Sequence, residues 1–443
     1  MYYQFEPIPG CGSMTNQNNA PTLAGTPVIR LPGTCQNRSV TLNLSDELLS
    51  RHSLLVGGTG SGKTKLMTRM LDNILKNKDS EDVVVVFDSK GDYRQAFSGI
   101  PHLVVGNSAE YRAISQRWNI FEELLVDGTD DENVRLNAIE IARTLFADRM
   151  KNTTNAFFPS AAQDVFSSLM LSVCRDARSD DNLRAKLLNN RGFTGFLQSS
   201  SPALLCDQLA FYPDLTAVSS YIAGENEQSQ GVLSEMYSVI RDLFIGAFCQ
   251  EGDFSIRRFI RNHGLNGKKV LFLEYDISIG SVLSPIYRLL VDLAFKECLR
   301  QNNGGRRIWF FFDEFKLLPH LQHIDDAVNF GRSKGVRVFA GLQSVEQLYD
   351  IYGQSRGRNV AAGFSSVYAF HANDASTMKY VSDLYGANRM ALAITDEADH
   401  STRQIISGRT IEDWDIAGLE PGWAVVCLPK QQPFKMYMKQ YPD

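Results

Sequence analysis

A chain of 443 residues is long enough for one large or two modest domains, and a 44% apolar share is that of a globular protein with a real core. A net charge of −5 excludes whole-protein attraction to nucleic acid, so any DNA contact must come from a local basic patch or channel. The seven cysteines (Cys11, Cys35, Cys174, Cys206, Cys249, Cys298 and Cys427) lie far apart with no CxxC spacing, which argues against a zinc site or disulfide framework and for free thiols in a reducing cytosol.

Residues 1–45 are rich in Asn, Thr, Pro and Gly and read as a tail or extended surface arm that buries little. The first residues lack the basic-then-apolar order of a signal peptide, and no apolar run reaches the roughly 20 residues of a membrane span, so a cytoplasmic protein is expected. Ser53-Leu54-Leu55-Val56 predicts a short strand. Leu66, Met67, Met70, Leu71, Ile74 and Leu75 then recur at helical spacing. Val83-Val84-Val85-Val86-Phe87 is continuously apolar, as in a strand covered on both faces. Strand, helix and strand at this spacing form a βαβ unit and hence a parallel sheet.

Between that first strand and helix lies Gly57-Gly58-Thr59-Gly60-Ser61-Gly62-Lys63-Thr64, which matches G-x-x-x-x-G-K-[ST] in the strand-to-helix context the motif requires. Glycines let the backbone wrap a phosphate chain, and the amides and helix N-terminus point at the anion. Lys63 is expected on the β- and γ-phosphates of ATP and the Thr64 hydroxyl on Mg²⁺. Asp88 and Lys90, in Phe87-Asp88-Ser89-Lys90-Gly91-Asp92-Tyr93, end the second strand; they could assist this site, but turn residues are the simpler account.

From about 121 to 250 helical patterns dominate, including Val134 to Phe146, Val165 to Val173 and Val232 to Phe244. This stretch reads as an all-helical insertion, leaving residues 46–120 and 251–443 as the α/β nucleotide-binding part. Strand signals return at Val270–Tyr275, Ile308–Phe312, Val336–Ala340, Val367–Phe370 and Ala424–Cys427, with a helix from about Val282 to Leu299.

Ile308-Trp309-Phe310-Phe311-Phe312-Asp313-Glu314 is an apolar strand ending in two acids. Downstream of the glycine loop this is the pattern in which Asp313 holds Mg²⁺, mostly through water, and Glu314 polarises the water that attacks the γ-phosphate. Gln343, closing the strand Val336–Ala340, either contacts the γ-phosphate or lytic water or caps a turn; position supports both equally. Arg332, in Gly331-Arg332-Ser333-Lys334-Gly335, is a candidate arginine finger for a neighbouring subunit, although pattern alone favours a solvated helix end. Arg356 and Arg358 are weighed as DNA-gripping loop residues against an ordinary solvated loop. No LSGGQ-type signature is present, and Asn77-Lys78-Asp79-Ser80 lacks the last Asp of the GTPase NKxD motif.

Taken in order, these motifs resemble the type IV coupling proteins, the TraD/TraG-like group of conjugation ATPases in the FtsK/HerA branch of P-loop motors. The run from Gly331 to Ser344 is the most specific match, and the likeness covers about residues 45–435. The resemblance implies a RecA-like P-loop ATPase with a mostly parallel central sheet and an inserted all-α domain. It places Arg332 as the arginine finger and Gln343 as the sensor, with Lys63, Asp313 and Glu314 in the ATPase roles. It also implies a homo-hexameric ring that handles single-stranded DNA, through backbone contacts, or a relaxase–DNA complex. Members usually begin with membrane helices, whereas 56 residues without a long apolar span precede Gly57 here. The expectation is therefore no direct membrane span and a peripheral place at the inner membrane through a separate membrane or secretion-channel partner. A soluble double-stranded DNA translocase of FtsK/HerA type and a substrate-receptor adaptor using ATP as a latch are the alternatives.

Overall fold

The structure is a computed structural model that describes every residue except 1, 9–10, 152, 301–305, 396–400, 440 and 442–443. The chain divides into two compact units, Met1–Val84 with Asn302–His320 and Ile324–Asp443, and Val85–Gln301 with Leu321–His323. Fourteen strands are described: β1 (Tyr2–Pro7), β2 (Pro27–Cys35), β3 (Arg38–Ser45), β4 (Ser53–Val56), β5 (Val83–Asp88), β6 (Leu103–Gly106), β7 (Val270–Glu274), β8 (Ile308–Phe312), β9 (Val336–Leu342), β10 (Ser366–Ala369), β11 (Ala387–Thr395), β12 (Ser401–Arg409), β13 (Trp423–Cys427) and β14 (Phe434–Met438).

In the first unit the strand order is β3-β2-β14-β13-β10-β4-β9-β8. Strands β10, β4, β9 and β8 run parallel, and the other four form an antiparallel flank. The parallel strands are mostly apolar because both their faces are covered: every residue of β8 is fully buried, and Phe311 stacks on Phe339 of β9 with ring centroids 4.5 Å apart. This α/β fold has parallel strands at its centre, as the alternation of strand and helix signals predicts. Strands β1, β11 and β12 form a separate antiparallel sheet of the same unit.

The expected N-terminal arm needs correction. Residues 27–45 are not a surface tail but the paired strands β2 and β3, and Ile29, Leu31, Leu42 and Leu44 are fully buried. The Asn-rich composition of residues 15–22 hid this, because the apolar residues that follow alternate in a short hairpin turning at Gln36-Asn37, both at positive φ.

In the second unit, β5, β7 and β6 are neighbours in that order. Among the described residues no strand occurs between Gly106 and Val270. Helices fill that stretch, the longest being Asp131–Lys151, Phe157–Asp176 and Glu227–Leu243. Several of these helices start on side-chain caps: Asn189, Ser201 and Asn226, ahead of Asn190–Ser199, Pro202–Ala210 and Glu227–Leu243, accept from the amides of Gly192, Leu204 and Ser229, and Pro202 occupies a first-turn position. Arg257, fully buried, is neutralised by Asp127 and Glu297, which Arg261 also contacts. Among the described residues no helix is long and apolar enough to cross a membrane.

Candidate active site

Strand β4 delivers the chain to Gly57 at its carboxyl end. Gly57 has φ +149°, and a Cβ there would lie 2.8 Å from Cβ of Phe370 and 3.0 Å from the His371 carbonyl oxygen, so only glycine fits. Gly62 (φ +115°) is the N-cap of the helix Lys63–Asn77, and no side chain caps that helix. Its first-turn amides and dipole therefore face the loop, which is the physical basis of phosphate binding at such a turn. Neighbouring segments pin the loop from outside. Gly58 N–H donates to His371 O at 2.7 Å, Gly57 N–H to Leu342 O at 3.1 Å, and Gly422 N–H to Ser61 O at 2.9 Å. Lys63 is 7% exposed, and its ammonium donates to the carbonyls of Gly57 (2.6 Å) and Gly58 (2.9 Å), inside the loop it serves.

Parallel pairing of β4 with β9 and of β9 with β8 carries the acid pair to the same strand ends as the loop. Asp313 is 5% exposed. Thr64 Oγ1 donates to its carboxylate, 3.0 Å from each oxygen, across 249 residues of sequence. The approach depends on Gly341 of β9, where a Cβ would sit 2.1 Å from the Asp313 carbonyl oxygen. Gln343, just past β9, reaches both carboxylate oxygens of Glu314 with its amide nitrogen at 3.3 Å. The Gln343 side chain thus faces Glu314, and its backbone N–H donates to Gln347 Oε1. Ser344 Oγ donates to Asp374 Oδ1 at 2.8 Å, and Asp374 also caps the helix Ala375–Asp383 through Thr377 N–H.

Arg332 is placed elsewhere. It lies in the short 3₁₀ turn Gly331–Lys334 that precedes β9, whereas Gln343 follows β9. Seven strand residues separate the two ends, roughly 23 Å at about 3.3 Å per residue. The Arg332 side chain is 49% exposed, with Glu47 Oε1 3.9 Å away. Lys63, Thr64, Asp313, Glu314 and Gln343 thus converge within one unit, and Arg332 stands at the far end of the same strands.

Asp88 is a turn residue. Its carboxylate accepts the backbone N–H groups of Lys90, Gly91, Tyr93 and Arg94 at 2.9–3.1 Å. Burial outweighs those bonds and holds its pKa above the ordinary value. In the same unit Glu274, at the end of β7, is pushed up to about 8, first by burial and then by the charge of Asp88. Arg356 and Arg358 lie not in a loop but in the helix Glu346–Ala362, interrupted at Gly353 (φ +76°). Arg356 pairs with Asp325 at 2.6 Å and packs over Tyr352.

Sequence reasoning gave Gly341 no role beyond its place in the run ending at Ser344, and did not single out the Phe370-His371 segment or Gly422. A glycine inside a buried strand is itself a signal of close backbone approach, and Pro421-Gly422 is a turn signal. The backbone contacts of Phe370-His371 carry no sequence signal.

Comparison with known proteins supports the same frame. A family model described as the type IV secretion-system coupling protein DNA-binding domain matches residues 38–407. Coupling protein TraD of Escherichia coli (strain K12) is 25% identical over 308 residues, covering 68% of this chain and 39% of TraD. The chain spans less than half the length of the curated relatives it matches. The unbound monoclinic form of the bacterial conjugative coupling protein TrwBdeltaN70 superposes with a TM-score of 0.71 at 22% identity, covering 92% of this chain and 88% of that one. TrwB in complex with a non-hydrolysable ATP analogue also gives 0.71, at 21% identity and 99% and 95% coverage.

Proposed function

Because the chain belongs to the type IV secretion-system coupling protein family, we propose that it is an ATP-hydrolysing motor that couples a DNA or relaxase–DNA substrate to transfer. The observation that carries this reading is the direct contact of Thr64 Oγ1 with the Asp313 carboxylate. These are the two groups that share Mg²⁺ in such sites, and here they already touch. The glycine cradle, which a Cβ would fill at Gly57, and the inward Lys63 ammonium fit a magnesium-bound triphosphate as well.

On this reading the loop amides and Lys63 bind the β- and γ-phosphates. Thr64 and Asp313 hold Mg²⁺, which when bound neutralises charge on the phosphate oxygens. Glu314 accepts hydrogen bonding from the attacking water and polarises it, and Gln343 fixes the orientation of the Glu314 carboxylate. Arg332, at the far ends of the strands, serves the nucleotide of a neighbouring subunit, which supports a ring, a hexamer by family analogy. ATP and Mg²⁺ are then the ligands, and single-stranded DNA is held through backbone contacts by Lys and Arg. We assign residues 46–120 and 251–443 to the RecA-like part and 121–250 to the family's all-α domain. A separate membrane or secretion-channel partner would place the chain at the inner membrane.

ATPase turnover measured with and without single-stranded DNA tests the proposal. DNA should raise kcat. Glu314→Gln should keep nucleotide affinity and lose roughly 10²–10⁴-fold in rate, the usual contribution of a positioned base. Turnover indifferent to every DNA form would overturn the motor reading.

A further inference from the structure

The turn that carries Arg332 leaves that side chain with little to hold it. It is four residues of 3₁₀ helix, ended by Gly335 at φ +82°. Its ion pair to Glu47 spans 3.9 Å between exposed groups, and a pair of that kind contributes almost nothing. The guanidinium is therefore free to transfer to a phosphate, while something else must fix the backbone it departs from.

That anchor is Arg337, two residues into β9 and nearly fully buried. Its guanidinium is itself locked. Nη2 donates to Asp46 Oδ2 at 2.9 Å and Nε to Asp46 Oδ1 at 3.2 Å, a two-pronged pair, and Nη1 donates to Val336 O at 3.0 Å. The same Nη1 lies 3.4 Å from the Arg332 carbonyl oxygen, which also accepts from Gly335 N–H at 3.2 Å. Its backbone is also closely packed at both glycines: a Cβ on Gly335 would lie 2.0 Å from the Arg306 carbonyl oxygen, and one on Gly331 2.9 Å from Cβ of Val336. A third positive charge is near, since Arg307 Nη1 lies 3.9 Å from Asp46 Oδ1. His52 stays neutral beside this cluster, its pKa lowered to about 3 first by burial and then by Arg337.

We propose that Arg337, clamped by Asp46, is the positioning residue for Arg332: it fixes the carbonyl of the finger's own residue so that the exposed guanidinium leaves from one defined place. A lysine cannot do this, because an ammonium lacks the fork that grips a carboxylate with two nitrogens and a carbonyl with the third. The proposal rests on the reading of Arg332 as a finger acting on a neighbouring subunit.

The test uses the assembled protein with single-stranded DNA and measures kcat, KM for ATP and thermal midpoint for Arg337→Lys, Asp46→Asn, Arg332→Ala and the double variant Arg332→Ala/Arg337→Lys. Arg332→Ala should cost roughly 10³-fold or more in kcat, the scale of a finger. Arg337→Lys should cost about 10–100-fold in kcat, as expected for a misplacement near 1 Å, with KM within about twofold. Asp46→Asn should fall between wild type and Arg337→Lys. The double variant should be no slower than Arg332→Ala, because a positioning residue has nothing left to position. Wild-type kcat in a folded Arg337→Lys, or losses that multiply in the double variant, would overturn the positioning role while leaving the finger standing. Wild-type kcat in Arg332→Ala, or no turnover by the wild type, would remove the reading on which it rests.

Discussion

Replacing Gly341 by alanine probes the contact on which the candidate active site depends. The new Cβ would lie 2.1 Å from the Asp313 carbonyl oxygen and 3.0 Å from its carbonyl carbon, where ordinary contact begins at 3.4 Å. The obstacle is backbone, not a side chain that can swing away, so strand and acid must separate by about 1.3 Å (3.4 minus 2.1). Phe312 is in register with Ala340, so the last pair of β8 with β9 has to absorb the movement. Thr64 and Asp313, now 3.0 Å apart, would lose their common reach for a metal. Overpacking of this kind costs about 1–3 kcal/mol of stability, which leaves the protein folded. A displacement near 1 Å at reacting groups costs roughly 10²-fold in rate. The Gly57–Thr64 loop is untouched, so affinity for a fluorescent ATP analogue should stay within a few-fold while kcat falls about a hundredfold. A folded Gly341→Ala variant with wild-type kcat would refute the argument that the close approach of β9 sets the acid pair.

Gln343→Ala should lower kcat by about tenfold with KM little changed, because Glu314 loses the amide that orients its carboxylate; an equal rise in KM alone would instead assign Gln343 to ground-state binding. Glu274 holds its proton up to about pH 8 in the folded protein against an ordinary value of 4.5. The unfolded chain gives that proton up first, so stability is greatest below about 4.5 and falls as pH rises through 8. Glu274→Gln should remove that fall and stabilise by about 2–4 kcal/mol at pH 9 relative to pH 5, read from denaturant midpoints; a pH-independent difference would count against it. Ile29→Ala should cost about 2–5 kcal/mol, as for a fully buried core position, whereas a surface arm would lose less than about 0.5.

Local chemistry determined the parts of this protein that recur at short range. The glycine loop between an apolar strand and a helix, and the two acids closing Ile308–Phe312, are legible because each motif is contiguous and its residue types follow from phosphate and metal chemistry. The continuous apolar runs announced strands covered on both faces, and the helical periodicity announced the helix-rich stretch. Tertiary structure alone decided that Thr64 meets Asp313 across 249 residues, because strand order is a matter of long-range pairing that no local window contains. It likewise decided that Gln343 turns to Glu314, that Gly341 must lack a side chain, and that residues 27–45 complete a sheet. Arg332 is the sharpest case: its sequence is that of an exposed basic turn, and only the fold shows that it stands at the opposite end of β9 from Gln343. Side-chain identity sets what a group can do, but which groups share a site is set by the packing that brings distant strands side by side.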